Sequence, residues 1–192
     1  MKSLRRFQSL VMFAFLLRAL TGAASAATPL DLGATAPVLK GTNQDGKTVD
    51  LGEQYKKGYV LVYFYPKAGT PGCTAEACSL RDSFADLTKL NLTVVGVSHD
   101  TVAEQKTFAV AQKLQFDLLA DPKGEIYAAF GVPGMGNRES FIVKDGKIVW
   151  REVKASTAEQ ANDVKKAVAD LAAKDTAAKP AASTAAPVAD KK

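Results

Sequence analysis

The sequence predicts an α/β fold, with helices flanking a mixed central sheet behind an N-terminal hairpin. Three observations carry this reading. Continuous apolar runs at 59–65 (YVLVYFY) and 92–97 (LTVVGV) suit strands buried on both faces. Helical segments with apolar residues three and four apart lie between the strand candidates. Asp-Gly pairs at 45–46 and 145–146, each between extended runs, mark hairpins. Strands alternating with helices and closing on a hairpin give a mixed rather than purely parallel sheet.

Taken in chain order, the first segment lies outside this fold. Lys2, Arg5 and Arg6 precede the apolar run 10–17, and Ala24-Ser25-Ala26 follows as a small-residue cleavage site. That order is a secretory signal peptide over residues 1–26, with general secretion favoured and twin-arginine export the alternative that Arg5-Arg6 suggests, and the apolar run is too short to anchor in a bilayer. The fold then spans residues 27–172. Residues 37–40 and 47–51 form the N-terminal hairpin, and Pro66 ends the strand at 59–65. From Thr74 the apolar face Ala77, Leu80, Phe84 and Leu87 predicts one helix. After the strand at 92–97, Thr101 and Glu104 have capping-box spacing and open a helix to about Leu114. A short strand at 116–119, a turn at 121–124 and a short helix through Phe130 come next. The hairpin of 140–144 and 147–151 follows, and Ser156 opens a last helix ending near Ala172. Residues 173–192 are rich in Ala, Pro and Lys, too poor in large apolar groups to offset their ordering entropy, and are expected to be disordered.

The net charge of +5 misleads as a guide to partners. Lys2, Arg5, Arg6 and Arg18 belong to the leader, and the segment from Lys174 holds four lysines and two aspartates. The fold itself is close to neutral and carries no footprint for nucleic acid. A domain of this size needs no disulfide to fold. Cys73 and Cys78, the two cysteines of the chain, must therefore be judged by their position.

Cys73 lies where the loop after strand 59–65 becomes a helix. The unpaired amides and positive dipole end of a helix start stabilise a thiolate, the nucleophilic form of cysteine, and can also bind a peroxide oxygen as it gains charge. Thr70, three residues earlier, can set a hydroxyl beside the sulfur. Cys78 is five residues on. Along an intact helix the two Cα atoms would be roughly 8–9 Å apart, beyond the reach of about 7 Å for a disulfide. The spacing predicts a cycle in two conformations. In the folded one Cys73 meets a hydroperoxide and becomes a sulfenic acid. In the unwound one Cys78 forms a disulfide with it, which an outside dithiol reduces. The plainer alternative is a static structural disulfide in an exported protein.

Residues 66–74 (PKAGTPGCT) resemble the peroxiredoxin signature of Pro, three residues, Thr, two residues and Cys. With Cys78 five residues beyond, the chain is similar to the bacterioferritin-comigratory-protein (PrxQ) subfamily from about Pro37 to Ala172. The resemblance implies a thioredoxin-like fold and a peroxidase without metal or organic cofactor. Its substrates would be hydrogen peroxide and organic hydroperoxides, and its reductant a thioredoxin-like dithiol; the chain is separately expected to be a monomer. It implies roles as well: Cys73 peroxidatic, Cys78 resolving, Thr70 bonding the peroxide and Pro66 shielding the thiolate. Arg138, entering a late strand, would stabilise the thiolate and polarise the O–O bond, and Glu76 would orient Arg138. The export signal departs from the mostly intracellular subfamily. It implies a periplasmic or otherwise extracytoplasmic protein without stable membrane association, and it leaves the reductant open.

Two rival activities share the fold. A thiol–disulfide oxidoreductase usually separates its cysteines by two residues, not four. A copper-binding chaperone would need two thiolates and the lone His99 as soft ligands. His99, after the strand end at 97, otherwise reads as a loop residue near a helix cap, and Tyr63, Phe64 and Tyr65 as core and site wall.

Overall fold

The computed structural model describes residues 30–134 and 136–178. The expected leader at 1–26 and residues 179–192 lie outside the described residues. Seven strands form one mixed sheet in the order β2-β1-β5-β4-β3-β6-β7. The central strands β3 (Tyr59–Phe64), β4 (Leu92–Ser98) and β5 (Asp117–Ala120) run parallel. The N-terminal hairpin β1 (Lys40–Asn43) and β2 (Thr48–Asp50), and the late hairpin β6 (Glu139–Lys144) and β7 (Lys147–Glu152), pair antiparallel at the two sides.

Every residue of β3 is buried because helices cover both faces. Leu61, Tyr63 and Tyr65 pack with Leu80, Phe108 and Val164, from α2 (Pro71–Asp82), α4 (Val102–Gln112) and α6 (Gln160–Ala178). Val60, Val62 and Phe64 point the other way, toward Leu51 of α1 (Leu51–Gln54) and Ile126 and Tyr127 of α5 (Glu125–Ala129). This is the expected thioredoxin-like arrangement, and it explains why 59–65 alternates in direction without alternating in polarity.

Several boundaries differ from the sequence reading, each for a visible reason. The first strand sits at 40–43 rather than 37–40, where Asn43 donates to Asp117 at 2.7 Å and so joins the hairpin to β5. The helix expected from Thr74 begins at Pro71 and breaks at Ser83, leaving Phe84–Lys89 as a separate helix α3. The last helix starts at Gln160 rather than directly after Ser156, whose hydroxyl bonds the Asp163 carboxylate at 2.6 Å. That helix continues to Ala178 rather than ending near Ala172, so the segment expected to be disordered from 173 is helical at its start. Asp175 accounts for part of the extension: it pairs with Lys144 and accepts from the Tyr59 hydroxyl. The Thr101–Glu104 capping box forms as expected.

Register places three strand ends together. Phe64, the last residue of β3, lies opposite Val97 near the end of β4 and Glu139 at the start of β6. The chain segments leaving or entering these ends carry Pro66–Cys73, Asp100 and Arg138, so the topology gathers residues far apart in sequence at one edge of the sheet.

Candidate active site

Thr70 is the N-cap of α2, with extended backbone, and Pro71 occupies the first turn, where its missing N–H leaves no bond unmade. Cys73 is therefore the third residue of the helix and not its forerunner. Its side chain is buried, 1% exposed, among Tyr65, Ala77 and Phe108. The Arg138 guanidinium donates from Nη2 to Cys73 Sγ at 3.5 Å and from Nη1 to Glu76 Oε2. One planar fork thus ties together the Cys73 thiol, the Glu76 carboxylate one turn further along α2 and the segment entering β6.

Glu76 is fully buried, and burial pushes its carboxyl up to about 8 against the opposing pull of Arg138. Its second oxygen, Oε1, has no hydrogen-bond partner among the described residues. The Tyr63 hydroxyl is likewise buried and unpartnered there, and burial drives its pKa far up, with Tyr65, Glu76 and Cys73 adding to the effect. Gly72 makes the fork's approach possible: a Cβ there would lie 3.1 Å from Arg138 Nη2. Gly69 turns the loop with φ of +77°, a conformation that glycine adopts without strain.

The loop before the helix is held from β4. The buried Asp100 carboxylate accepts from the Ala68 amide at 2.7 Å, the Ser98 hydroxyl at 2.6 Å and Lys67 Nζ at 3.3 Å. Beneath it, Gln105 donates to Ser98 Oγ at 2.8 Å and accepts from the Tyr65 hydroxyl. Thr70 donates its hydroxyl proton to the Lys67 carbonyl at 3.0 Å, which fixes the side chain and leaves oxygen lone pairs for another donor. Pro66 is half-buried, two residues after the end of β3. A cleft of about 380 Å³ opens beside this loop, walled by Ala68, Gly69, Ala103, Phe108 and Ala111 and reaching Gln112.

Of the residues singled out in the sequence, Cys73, Glu76 and Arg138 come into direct contact, and Pro66 and Thr70 frame the loop that leads to them. Cys78 does not join them. Both cysteines are free thiols, five residues apart in one continuous helix. Cys78 is half-buried, and its Sγ donates to Gln112 Oε1 at 3.5 Å. His99 stacks on Tyr127 with ring centroids 4.1 Å apart, and its Nδ1 lies 3.0 Å from the Asp121 carbonyl oxygen. Among the described residues no group of three or more His, Cys, Asp or Glu is arranged to hold a metal ion. Asp100, Gln105 and Gln112 escaped the sequence reading. Only the position of Asp100 after a strand end offered a signal, because their partners lie far off in sequence.

A buried thiol at the start of a helix on a thioredoxin-like sheet, engaged by an arginine from a late strand, defines the class of thiol-based redox proteins. The chain belongs to the AhpC/TSA family, whose profile matches residues 32–151, and within it to the bacterioferritin-comigratory-protein (PrxQ) peroxiredoxins. It is 42% identical to peroxiredoxin Bcp of Escherichia coli over 131 residues, covering 62% of this chain and 83% of the relative. Peroxiredoxin Bcp of Bacillus subtilis is 37% identical over 138 residues, 65% of this chain and 87% of that protein. Among solved structures, the peroxidoxin BcpB of Mycobacterium tuberculosis superposes with a TM-score of 0.68 at 32% identity, covering 75% of this chain and 97% of that one. The bacterioferritin comigratory protein of Xanthomonas campestris, whose structures concern alkyl peroxide reduction, gives 0.67 at 25% identity, covering 72% and 99%.

Proposed function

We infer that this chain is a thiol peroxidase that reduces hydroperoxides through Cys73 and closes the cycle through Cys78. One observation carries the reading: a single guanidinium bonds both the Cys73 sulfur and the buried Glu76 in the same helical turn. Such a fork holds positive charge where the thiolate and the peroxide oxygen both need it.

The thiolate attacks the terminal oxygen of ROOH. An S–O bond forms, the O–O bond breaks, and the alkoxide or hydroxide leaves and takes a proton. Arg138 and the amides opening α2 stabilise the charge on the departing oxygen, while Thr70 holds the peroxide and Pro66 screens the sulfur from water. The resulting sulfenic acid is attacked by Cys78, the S–S bond forms, and water leaves. Because both cysteines lie in one helix, α2 must unwind for this step. A thioredoxin-like dithiol then restores both thiols by exchange. The cleft beside residues 67–69 suits the alkyl group of an organic hydroperoxide, with Phe108 and Ala111 as its apolar walls.

The leader pattern at 1–26 supports export, so the reductant would be an extracytoplasmic dithiol. Charge supports no nucleic-acid role, and no described helix is long and apolar enough to cross a membrane. A monomer is the form this reading carries. The decisive assay mixes the reduced protein with hydrogen peroxide and with cumene hydroperoxide, and follows Cys73 by rapid quench. Oxidation orders of magnitude faster than free cysteine is expected; a rate like that of free cysteine overturns the reading. Cell fractionation tests export, and retention of the intact leader in the cytoplasm would overturn it.

A further inference from the structure

The cycle requires α2 to be intact when Cys73 meets peroxide and unwound when Cys78 meets the sulfenic acid. The contacts that hold the second half of α2 therefore control the second step. Two of them converge on one residue. Cys78 Sγ donates to Gln112 Oε1 at 3.5 Å, and Arg81 Nη1 donates to the Gln112 carbonyl at 2.8 Å. Gln112 is the last residue of α4, and Lys113 beyond it is left-handed, with φ of 53°. A carbonyl in the last turn of a helix has no partner further along that helix, so it is free to take a donor from elsewhere. Across the helix, Ser79 accepts from the Ala161 amide at 3.1 Å, a contact that touches neither cysteine.

We propose that Gln112, with Arg81, is a positioning residue for the resolving step: it clasps Cys78 in the folded helix and sets the rate at which that thiol reaches the oxidised Cys73. The proposal rests on the reading of Cys78 as the resolving thiol. The clasp decides between two fates of the sulfenic acid. In one, the S–S bond forms as the S–O bond breaks, and the oxygen leaves as water with the proton of Cys78. In the other, a second ROOH transfers its terminal oxygen to the same sulfur, giving a sulfinic acid and ROH. A tighter clasp lengthens the time in which the second fate can occur.

The test uses the full chain and three variants, Gln112→Ala, Gln112→Glu and Arg81→Met. Gln112 is half-buried at a helix end, and none of the substitutions touches Cys73 or Arg138. Rapid quench after hydrogen peroxide, followed by mass spectrometry, separates sulfenic, disulfide and sulfinic forms. First-step oxidation by hydrogen peroxide, which has no alkyl group to seat in the cleft that Gln112 borders, should stay within about twofold of wild type in all three. Disulfide formation should be about threefold faster in Gln112→Ala, which loses only the acceptor of the Cys78 thiol and keeps the main-chain carbonyl, and about tenfold faster in Arg81→Met, which loses the charged donor to that carbonyl. Sulfinic acid at high peroxide should fall in the same order. Gln112→Glu keeps an acceptor for Cys78 and adds charge beside Arg81, so it should resolve no faster than wild type. Unchanged disulfide formation in Gln112→Ala, or equal acceleration in Gln112→Glu, overturns the proposal. Hydrogen exchange on the reduced protein gives a readout independent of the role of Cys78. Amides of 78–82 should exchange faster in Gln112→Ala while those of β3 do not change, and uniform acceleration would also overturn it. A wild-type chain that forms no Cys73–Cys78 disulfide would instead sink the underlying reading, and this proposal with it.

Discussion

The two halves of α2 are built differently although they belong to one helix. The first half is a rigid seat: Cys73, Glu76 and Ala77 are buried, and Arg138 ties that turn to another strand. The second half is buried mainly at Leu80, and Cys78, Ser79 and Arg81 hold it to α4 and α6 through separate polar contacts. On the proposed cycle, the thiol that meets its substrate in fixed geometry sits where packing is dense. The thiol that moves on the same cycle sits where a few hydrogen bonds, each of about 1 kcal/mol net, can let go.

The cysteines test this contrast most severely. Cys73→Ser should abolish peroxide consumption, whereas Cys78→Ser should leave one fast oxidation event and no turnover; stopped-flow mixing reads both. Equal loss of the first oxidation in both variants would erase the distinction between the halves. Arg138→Met comes next. The second-order oxidation rate should fall by about 10²–10³-fold, the usual effect of removing one charge-stabilising donor. Disulfide formation, once the sulfenic acid is made, should change little. Gly72→Ala is gentler. Its methyl group would crowd Arg138 Nη2, so about a tenfold slower first step is expected. Thermal stability should move by no more than about 1 kcal/mol.

The smallest effect on chemistry is expected from Glu76→Gln, but it carries a pH signature. The folded carboxyl, raised to about 8 by burial, holds its proton more tightly than the unfolded one. Between about 4.5 and 8 the folded state therefore binds more protons, and its stability falls as pH rises through that window. Urea midpoints at pH 5 and pH 8 should show wild type losing on the order of 1 kcal/mol or more, and the variant nearly flat. A wild-type curve that rises over the same window would refute the raised value.

The rigid half was the more legible in sequence. Pro66, Thr70 and Cys73 are spaced by local chemistry, and the apolar runs at 59–65 and 92–97 announce strands buried on both faces. The burial of Glu76 was not legible, because an acid near the start of a helix normally faces water, and only the meeting of β3 with β6 brings Arg138 to it. The break at Ser83 was hidden because Phe84 and Leu87 continue the apolar spacing of α2. Gln112 lies 34 residues from Cys78, and nothing in local spacing links them. Likewise Asp175 reads as one charge in a polar tail until Lys144 appears beside it.

That last contact has a practical consequence. Lys144 ends β6 at the pole opposite its start, and Tyr59 begins the strand that ends beside the site. The final turns of α6 are thus fastened to the far end of the sheet, about 20 Å from Cys73 by the length of a six-residue strand. A fluorophore, affinity handle or surface tether attached at the exposed Lys174 starts from the side facing away from Cys73. Immobilised in that orientation, the protein would present its peroxide-binding edge to the solution.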